Sequence, residues 1–387
     1  MFTKKSFTAA FLTVILWFST ALPVSSANVT ISAPSAILIE SSTGQVIYEL
    51  NATERRSPAS VTKIMTLLLT FEAIDAGKAN LSDQVIVSRH ASSMGGSQVF
   101  LAENETQTLD TMIKCIAVAS GNDASVAVAE HIAGSEEAFV ALMNRKAEEL
   151  GMVDTHFEDC CGLTDSDNHY STAKDIAIMS RELTTKHPEV FDYTTIWMED
   201  IIHETAQGTS NFTLTNTNKL IKQYQYATGL KTGSTSKAMF CLSATATKDG
   251  IDLIAVVMGA QDNEHRVQDA QTLLTYGFNV CNLYIDANQE DLAPLPVEKG
   301  VEEEVDLVIF GEFRYLDTQG SDLSAMVKIK ELPESVQAPV VEGSQAGRVR
   351  YYLNGVEVGS VPILYGSSVE KAGYVDYLRK IWQLYLL

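Results

Sequence analysis

The sequence predicts an α+β protein: an antiparallel sheet covered by helices, then a small all-β domain and a C-terminal amphipathic helix. Three observations carry this prediction. Strand-like alternation occurs at residues 36–50 and again at 230–258, and the stretch between them has helical apolar spacing. Beyond a proline-containing segment at 291–300, only strand-like alternation occurs up to residue 366. Residues 369–387 then return to a helical pattern with one apolar face.

Residues 1–27 have the pattern of a secretory signal peptide. Lys4 and Lys5 precede an apolar segment at 7–22, and residues 25–27 offer the small side chains of a cleavage site. An uncleaved anchor is the alternative, but the apolar segment is shorter than the ~20 residues of a membrane-spanning helix. We therefore expect an exported, extracytoplasmic protein.

Composition excludes several classes of partner and cofactor. The formal net charge of −21 argues against nucleic-acid binding and against general adhesion to anionic membranes. The five cysteines follow no metal-binding spacing and H-E-x-x-H is absent, so we expect no metal and no other cofactor. Cys160 and Cys161 are adjacent and the other three cysteines have apolar neighbours. We expect small core residues, with a disulfide framework as the alternative.

The first domain, predicted over residues 28–285, has strands at its two ends and helices between them. Its elements are, in order, a hairpin (36–50), a helical region (60 to about 186), a hairpin with a turn at Asp249 and Gly250 (240–258), and a closing helix (267–278). Because the strands lie at opposite ends of the domain, the sheet must be completed by long-range pairing between those ends.

Two smaller units follow. An all-β domain is predicted over residues 295–366, where Asn354 and Gly355 form a strong two-residue hairpin turn. The final segment, 368–387, places apolar and aromatic side chains on one helical face and basic residues among the polar positions. Such a helix can lie in a membrane interface, and packing against the β domain is the alternative.

Ser60 and Lys63 form the first of three spaced motifs. Ser57 and Pro58 predict that a helix begins just before Ser60. The side chains of Ser60 and Lys63 would then lie on one helical face. The apolar stretch after Lys63 would bury its amine and favour the uncharged form, which can take a proton from the Ser60 hydroxyl. The same S-x-x-K spacing recurs elsewhere in the chain, for example at Ser171 to Lys174 and at Ser234 to Lys237, so alone it has little specificity.

Two further motifs follow in order. S-G-N at residues 120–122 connects two apolar helical runs, and K-T-G at 231–233 precedes the second hairpin. A rival S-x-N at 166–168 lies in a polar segment, so Ser120 is preferred. The order S-x-x-K, S-x-N, K-T-G is the signature of penicillin-binding proteins and serine β-lactamases.

With these motifs, the export signal, the β domain and the terminal helix, the chain resembles the serine-type D-alanyl-D-alanine carboxypeptidases. These are low-molecular-mass penicillin-binding proteins of bacterial envelopes. Further matching stretches lie at 57–63, 92–97, 216–220 and 229–233. The resemblance implies a penicillin-recognising serine transpeptidase/β-lactamase-like domain with a helical subdomain. It also implies removal of the terminal D-alanine from pentapeptide stems of peptidoglycan, with β-lactams as inhibitors.

The resemblance implies a role for each motif residue. Ser60 would be the nucleophile, Lys63 its base, and Ser120 the relay that gives a proton to the departing amine. Backbone N–H groups of Ser60 and Ser234 would form the oxyanion hole. The substrate-binding residues would be Asn122, Lys231, Thr232, Gly233, Ser234 and Arg266. For Arg266, an ion pair with Glu264 or Asp269 is an equal alternative.

Other functions stay open at this point. A serine β-lactamase is one, although the E-x-x-x-N element of the class with a dedicated deacylating glutamate is absent between Asn122 and Lys231. A non-catalytic penicillin or cell-wall sensor is another, although every motif residue is intact. A cross-linking transpeptidase would usually carry larger extra domains.

Overall fold

The computed structural model describes residues 29–385, so the predicted signal peptide lies outside the described residues. The first region has nine strands among the described residues: β1 (Ser35–Glu40), β2 (Val46–Leu50), β3 (Gln84–Ile86), β4 (Thr106–Thr108), β5 (Met198–Thr205), β6 (Gly208–Thr215), β7 (Ala227–Thr235), β8 (Met239–Lys248) and β9 (Ile251–Ala260). Its helices are α1 (Lys63–Asp75), α2 (Arg89–Ser92), α3 (Leu109–Ala117), α4 (Asn122–Ala133), α5 (Glu136–Glu149), α6 (Ala173–Lys186), α7 (Val190–Thr194), α8 (Leu220–Gln223) and α9 (Asn263–Val280).

Five strands form one antiparallel sheet in the order β2-β1-β9-β8-β7. β1 pairs with β9 although the two strands lie at opposite ends of this region, with Ser35 opposite Met258. The predicted long-range completion of the sheet is therefore confirmed. The β8–β9 turn has φ of +52° at Asp249 and +78° at Gly250, the left-handed pair that a two-residue hairpin turn requires.

Helices cover both faces of the sheet. α9 packs on one face through a core that includes Ala270 and Leu273. The core on the other face includes residues of α1, which is apolar almost all round and buried at every position from Lys63 to Phe71. A helix of that kind belongs in the centre of a domain. The 3₁₀ turn Ala59–Thr62, directly before α1, lies against β7.

Two local predictions are wrong. Ser57 and Pro58 do not cap α1, because the chain enters this helix through the 3₁₀ turn without a side-chain capping hydrogen bond. The hydroxyl of Ser57 is instead buried without a partner. Strands also return earlier than predicted, in the β5–β6 hairpin. That hairpin is mostly solvent-exposed and buries few apolar side chains, such as Ile201 and Leu214, so its strand pattern is weak.

The second region is built from short strands. They are β10 (Asn282–Asp286), β11 (Leu295–Glu298), β12 (Glu304–Val305), β13 (Leu307–Ile309), β14 (Phe313–Asp317), β15 (Val327–Glu331), β16 (Val336–Gln337), β17 (Gln345–Leu353) and β18 (Val356–Tyr365). Four of them form a sheet in the order β13-β18-β17-β15 around a separate core. β10 pairs with β14, so pairing in this region begins before residue 295. The predicted turn at Asn354 and Gly355 is confirmed by φ values of +52° and +80°.

The last described element is the helix α10 (Tyr374–Tyr385). Its apolar and aromatic side chains are exposed, with Tyr374 at 78% and Trp382 at 69% of full exposure. Within residues 29–385, no helix combines the length and the apolar character needed to cross a bilayer. The architecture as a whole is the α+β arrangement that the sequence predicts.

Candidate active site

Lys63 is fully buried where the 3₁₀ turn passes into α1. Its Nζ lies 2.9 Å from Oγ of Ser60, 2.6 Å from Oδ1 of Asn122 and 2.8 Å from the carbonyl oxygen of Cys161. Burial lowers the pKa of Lys63, because the charged form loses its hydration in the protein interior. The first two motifs of the sequence therefore meet at one buried amine.

The neighbours of Lys63 orient its lone pair. Nδ2 of Asn122 donates to the carbonyl oxygen of Gly95 at 2.7 Å, which leaves Oδ1 directed at Lys63. This amide oxygen and the carbonyl oxygen of Cys161 can only accept, so they take the two N–H bonds of an uncharged amine. The lone pair then faces the hydroxyl of Ser60, the geometry of a base beside its nucleophile.

Asp159 holds the loop that presents the Cys161 carbonyl. Its carboxylate accepts hydrogen bonds from the backbone N–H groups of Cys161 at 2.9 Å, Thr164 at 2.8 Å, and Gly162. Gly162 has φ of +74°, and a Cβ added there would lie 1.8 Å from the carbonyl oxygen of Ala59. Only glycine allows the loop to approach the turn that carries Ser60.

Sequence reasoning missed this loop as part of the site. Its contribution to Lys63 comes from a backbone carbonyl, which every residue type possesses. The one available signal was the run of short polar and glycine residues around Gly162, which indicates a loop but no chemistry.

The second buried amine belongs to Lys231 on β7. Its Nζ lies 2.8 Å from Oγ of Ser120. Ser120 has φ of +63° in the connection between α3 and α4, a conformation that residues other than glycine rarely adopt. Burial, with the neighbouring charges of Lys63 and Arg266, lowers the pKa of Lys231. The fold thus brings all three motifs together.

β7 is an edge strand of the sheet and runs beside the turn of Ser60. Oγ1 of Thr232 lies 2.7 Å from Oγ1 of Thr217. A Cβ added to Gly233 would lie 2.9 Å from the backbone nitrogen of Ser60, so β7 can approach this turn only with glycine at that position. Ser234 follows on the same strand and is exposed.

Arg266, near the start of α9, is buried and reaches across to β7 and β8. Its Nη1 donates to the carbonyl oxygens of Gly233 at 3.1 Å and Cys241 at 3.3 Å. Burial lowers its pKa to about 10. The alternative ion pair with Glu264 or Asp269 is wrong, because Asp269 accepts hydrogen bonds from the segment before β1 and no carboxylate among the described residues pairs with Arg266. Substrate contact by Arg266 stays a prediction.

Two further expectations concern cysteine and histidine. All five cysteines are buried and unpaired, as expected of small core residues. The polar stretch of sequence around His169 predicts a surface histidine, and that prediction is wrong. This side chain is buried, with Nδ1 accepting from the N–H of Glu158 at 3.0 Å and Nε2 lying 2.9 Å from Oγ1 of Thr62. Because Nδ1 accepts, the imidazole is uncharged and donates from Nε2.

Two protein families match this chain. The family described as D-alanyl-D-alanine carboxypeptidase matches residues 22–262, which include all three motifs. The chain belongs to the D-alanyl-D-alanine carboxypeptidase family of serine peptidases. The family described as penicillin-binding protein 5, C-terminal domain, matches residues 285–371.

Relatives within this family cover most of the chain. D-alanyl-D-alanine carboxypeptidase DacF of Bacillus subtilis is 40% identical over 349 residues, which is 90% of this chain and 88% of that protein. D-alanyl-D-alanine carboxypeptidase DacC of Escherichia coli is 31% identical over 376 residues, covering 93% and 90% of the two chains. The crystal structure of penicillin binding protein 5 from Haemophilus influenzae superposes with a TM-score of 0.73 at 29% identity. The superposition covers 88% of this chain and 98% of that chain.

Proposed function

We propose that the protein is a serine D-alanyl-D-alanine carboxypeptidase that removes the terminal D-alanine from peptidoglycan pentapeptide stems through an acyl-enzyme on Ser60. One observation carries this proposal. Nζ of the buried Lys63 lies 2.9 Å from Oγ of Ser60, and two acceptors beside it can take the N–H bonds of the uncharged amine and leave its lone pair for the hydroxyl. Membership of the carboxypeptidase family supplies the substrate class.

Acylation begins at Ser60. Its Oγ attacks the carbonyl carbon between the two D-alanines, while Lys63 takes the hydroxyl proton. Backbone N–H groups of Ser60 and Ser234 stabilise the oxyanion, and the loss of one such donor typically costs about 3 kcal/mol of transition-state stabilisation. The C–N bond then breaks as Ser120 gives its proton to the departing nitrogen, and Lys231, at 2.8 Å, is in position to replace that proton.

The leaving D-alanine carries a carboxylate that needs cationic and hydroxyl partners. Lys231 and Thr232 lie at the site on β7 and suit it. The Arg266 guanidinium supports this end of β7 through the Gly233 carbonyl. Asn122 uses one Nδ2 hydrogen on Gly95, and the second is free to hold the substrate backbone.

Water completes the reaction by attacking the Ser60 ester, which regenerates the hydroxyl and releases the shortened stem. A β-lactam acylates the same oxygen, but its leaving nitrogen stays tethered to the opened ring, so the ester persists. The E-x-x-x-N element of the β-lactamases with a deacylating glutamate is absent between Asn122 and Lys231, which favours the carboxypeptidase over that alternative.

The chain also carries features of an exported, membrane-associated enzyme. We propose that the predicted signal peptide directs export and that α10 lies in the membrane interface. The exposed apolar residues of α10 fall on one face, while on the opposite side Nζ of Lys380 donates to the carbonyl oxygen of Gly300 at 3.1 Å. We further propose the domain division predicted from the sequence, 28–285, 295–366 and 368–387.

A peptidase assay tests the catalytic proposal. Diacetyl-Lys-D-Ala-D-Ala is incubated with the wild type, Ser60→Ala and Ser236→Ala, and free D-alanine is measured. Ser236 is exposed and serves as the matched control. We expect release by the wild type and Ser236→Ala, and none by Ser60→Ala. Penicillin binding without D-alanine release from folded wild type would support the sensor, and rapid ampicillin hydrolysis would support the β-lactamase.

A further inference from the structure

We propose that a divalent metal ion, with zinc as the chemically preferred one, binds between Asp75, His187 and Glu189. The ligands come from three helix ends. Asp75 is the last residue of α1, His187 directly follows α6, and Glu189 directly precedes α7. The site would join the helix that carries Lys63 to the two helices beside it.

The three side chains already converge. Nδ1 of His187 lies 3.1 Å from Oδ2 of Asp75 and 3.8 Å from Oε1 of Glu189. All three candidate ligand atoms lie within 4.8 Å of one another. Tetrahedral zinc with bonds of ~2.0–2.2 Å holds its ligand atoms ~3.3–3.6 Å apart. Small rotations of the two exposed carboxylates would reach that spacing.

The second, independent observation is the imidazole of His187 itself. Its side chain is only 5% exposed and stacks on Phe71 at 5.9 Å, yet Nδ1 has no hydrogen-bond partner among residues 29–385. The 3.1 Å contact with Asp75 does not have the geometry of a hydrogen bond. A buried ring nitrogen without a partner is costly, and a cation placed between the two atoms would satisfy it.

The electrostatic setting favours a cation over other ligands. The negative ends of the α1 and α6 helix dipoles meet at this point. Among the described residues, neither Asp75 nor Glu189 has a lysine or arginine within ion-pair distance. One imidazole and two carboxylates are ligands that zinc accepts, and the exposure of the carboxylates leaves room for a water as the fourth ligand.

This site revises the expectation that the chain holds no metal. The sequence has no metal-binding spacing at these residues, because the packing of α1 against α6 brings the ligands together. Lys63 and Asp75 are the first and last residues of α1, so the ion would lie about 18 Å from Lys63 at 1.5 Å per residue. It would therefore stabilise the helix packing and take no part in acyl transfer.

Zinc titration of the chelator-treated, untagged protein tests the proposal. Isothermal titration calorimetry is run on the wild type, Asp75→Asn and Glu189→Gln, with Asp192→Asn as the control. Asp192 is an exposed carboxylate on α7 with no hydrogen bond from its side chain, and the two exposed ligands are chosen so that the variants fold. We expect one zinc per chain in the wild type and in Asp192→Asn. Asp75→Asn and Glu189→Gln should each bind zinc at least tenfold more weakly than the wild type.

A thermal readout accompanies the titration. Zinc should raise the unfolding midpoint of the wild type and Asp192→Asn but not that of Asp75→Asn, because a ligand that binds only the folded state stabilises it. Unchanged affinity in both ligand variants, or no stoichiometric binding by the wild type, would overturn the site. D-Alanine release plays no part in these measurements, so they are independent of the proposed peptidase function.

Discussion

The carbonyl oxygen of Cys161 accepts a hydrogen bond from Nζ of Lys63 at 2.8 Å. Together with Oδ1 of Asn122 it occupies both N–H bonds of the uncharged amine and leaves the lone pair for Ser60. In the proposed mechanism, the loop that contains Cys161 thus orients the amine of Lys63 and supplies no acid or base itself. Substitutions at Lys63, Asp159 and Gly162 test this arrangement.

Lys63→Arg should greatly slow acylation, because it replaces the uncharged amine with a permanent cation. A guanidinium does not deprotonate in proteins, so it cannot act as the base. Loss of a general base typically costs 10²- to 10⁴-fold in rate, and we expect a fall of about 10³-fold. The measurement is the rate of penicillin adduct formation by intact-mass spectrometry. Lys174→Arg is the matched control, since Lys174 has the same S-x-x-K spacing and is exposed. Undiminished labelling of Lys63→Arg would refute the role of the amine.

The acylation rate should rise with pH as Lys63 loses its proton. Burial lowers the pKa of Lys63 from 10.5, so the uncharged, reactive form becomes populated at a lower pH than for an ordinary lysine. Single-turnover acylation across the pH range in which the protein stays folded measures the midpoint. A midpoint at the ordinary lysine value would contradict an uncharged base.

Asp159→Asn should slow acylation by roughly 10- to 100-fold, because the loop would hold the Cys161 carbonyl less firmly against Lys63. Asp165→Asn is the control, as Asp165 is exposed in the same stretch. The pH profile of acylation should also shift in Asp159→Asn, which a purely structural role would not produce. Identical profiles for the two variants would remove Asp159 from the site.

The same variant should lose stability in a pH-dependent way. Burial opposes ionisation of Asp159, but the hydrogen bonds from the backbone N–H groups of its loop outweigh burial and lower its pKa below 3.8. A carboxylate with a lowered pKa stabilises the fold above its ordinary pKa, and this contribution disappears as the pH falls through the lowered value. In urea unfolding, the free energy of unfolding of Asp159→Asn should be roughly 1–3 kcal/mol lower than that of the wild type at neutral pH. This difference should become smaller in acid. A deficit independent of pH would contradict this assignment.

Gly162→Ala should be much more damaging than Gly151→Ala. Both glycines have left-handed φ values, +74° and +72°, but a Cβ at Gly162 would meet the Ala59 carbonyl at 1.8 Å while nothing lies within 4 Å at Gly151. Backbone strain alone costs about 1–2 kcal/mol in either variant. Any further loss of unfolding free energy in Gly162→Ala over Gly151→Ala therefore measures the clash. Unfolding free energies and penicillin labelling of both variants test it. Equal effects would show that the close approach is unimportant.

Removal of residues 368–387 should shift the protein from membranes to the soluble fraction. The exposed apolar face of α10 would lose its contact with the lipid interface. Flotation with anionic vesicles measures the change, and D-alanine release by the truncated protein in solution serves as the control for folding. Equal flotation of the two proteins would reject the interfacial role.

The sequence by itself determined which side chains we propose for the chemistry. Ser60, Lys63, Ser120 and Lys231 were identified from residue type and spacing, and the hairpin turns at Asp249 and Asn354 from local conformational preference. Such features depend on a few neighbouring residues, which is why they can be recognised without knowledge of the fold. The helical covering of the sheet followed in the same way from apolar periodicity.

Only the tertiary structure decided how these side chains face one another. It directs the Cys161 carbonyl at Lys63, turns Arg266 to the Gly233 carbonyl instead of a carboxylate, and brings His187 to Asp75. These contacts use backbone atoms that all residues share, or side chains far apart in the chain. Their physical cause is long-range packing, which leaves no pattern in the order of amino acids.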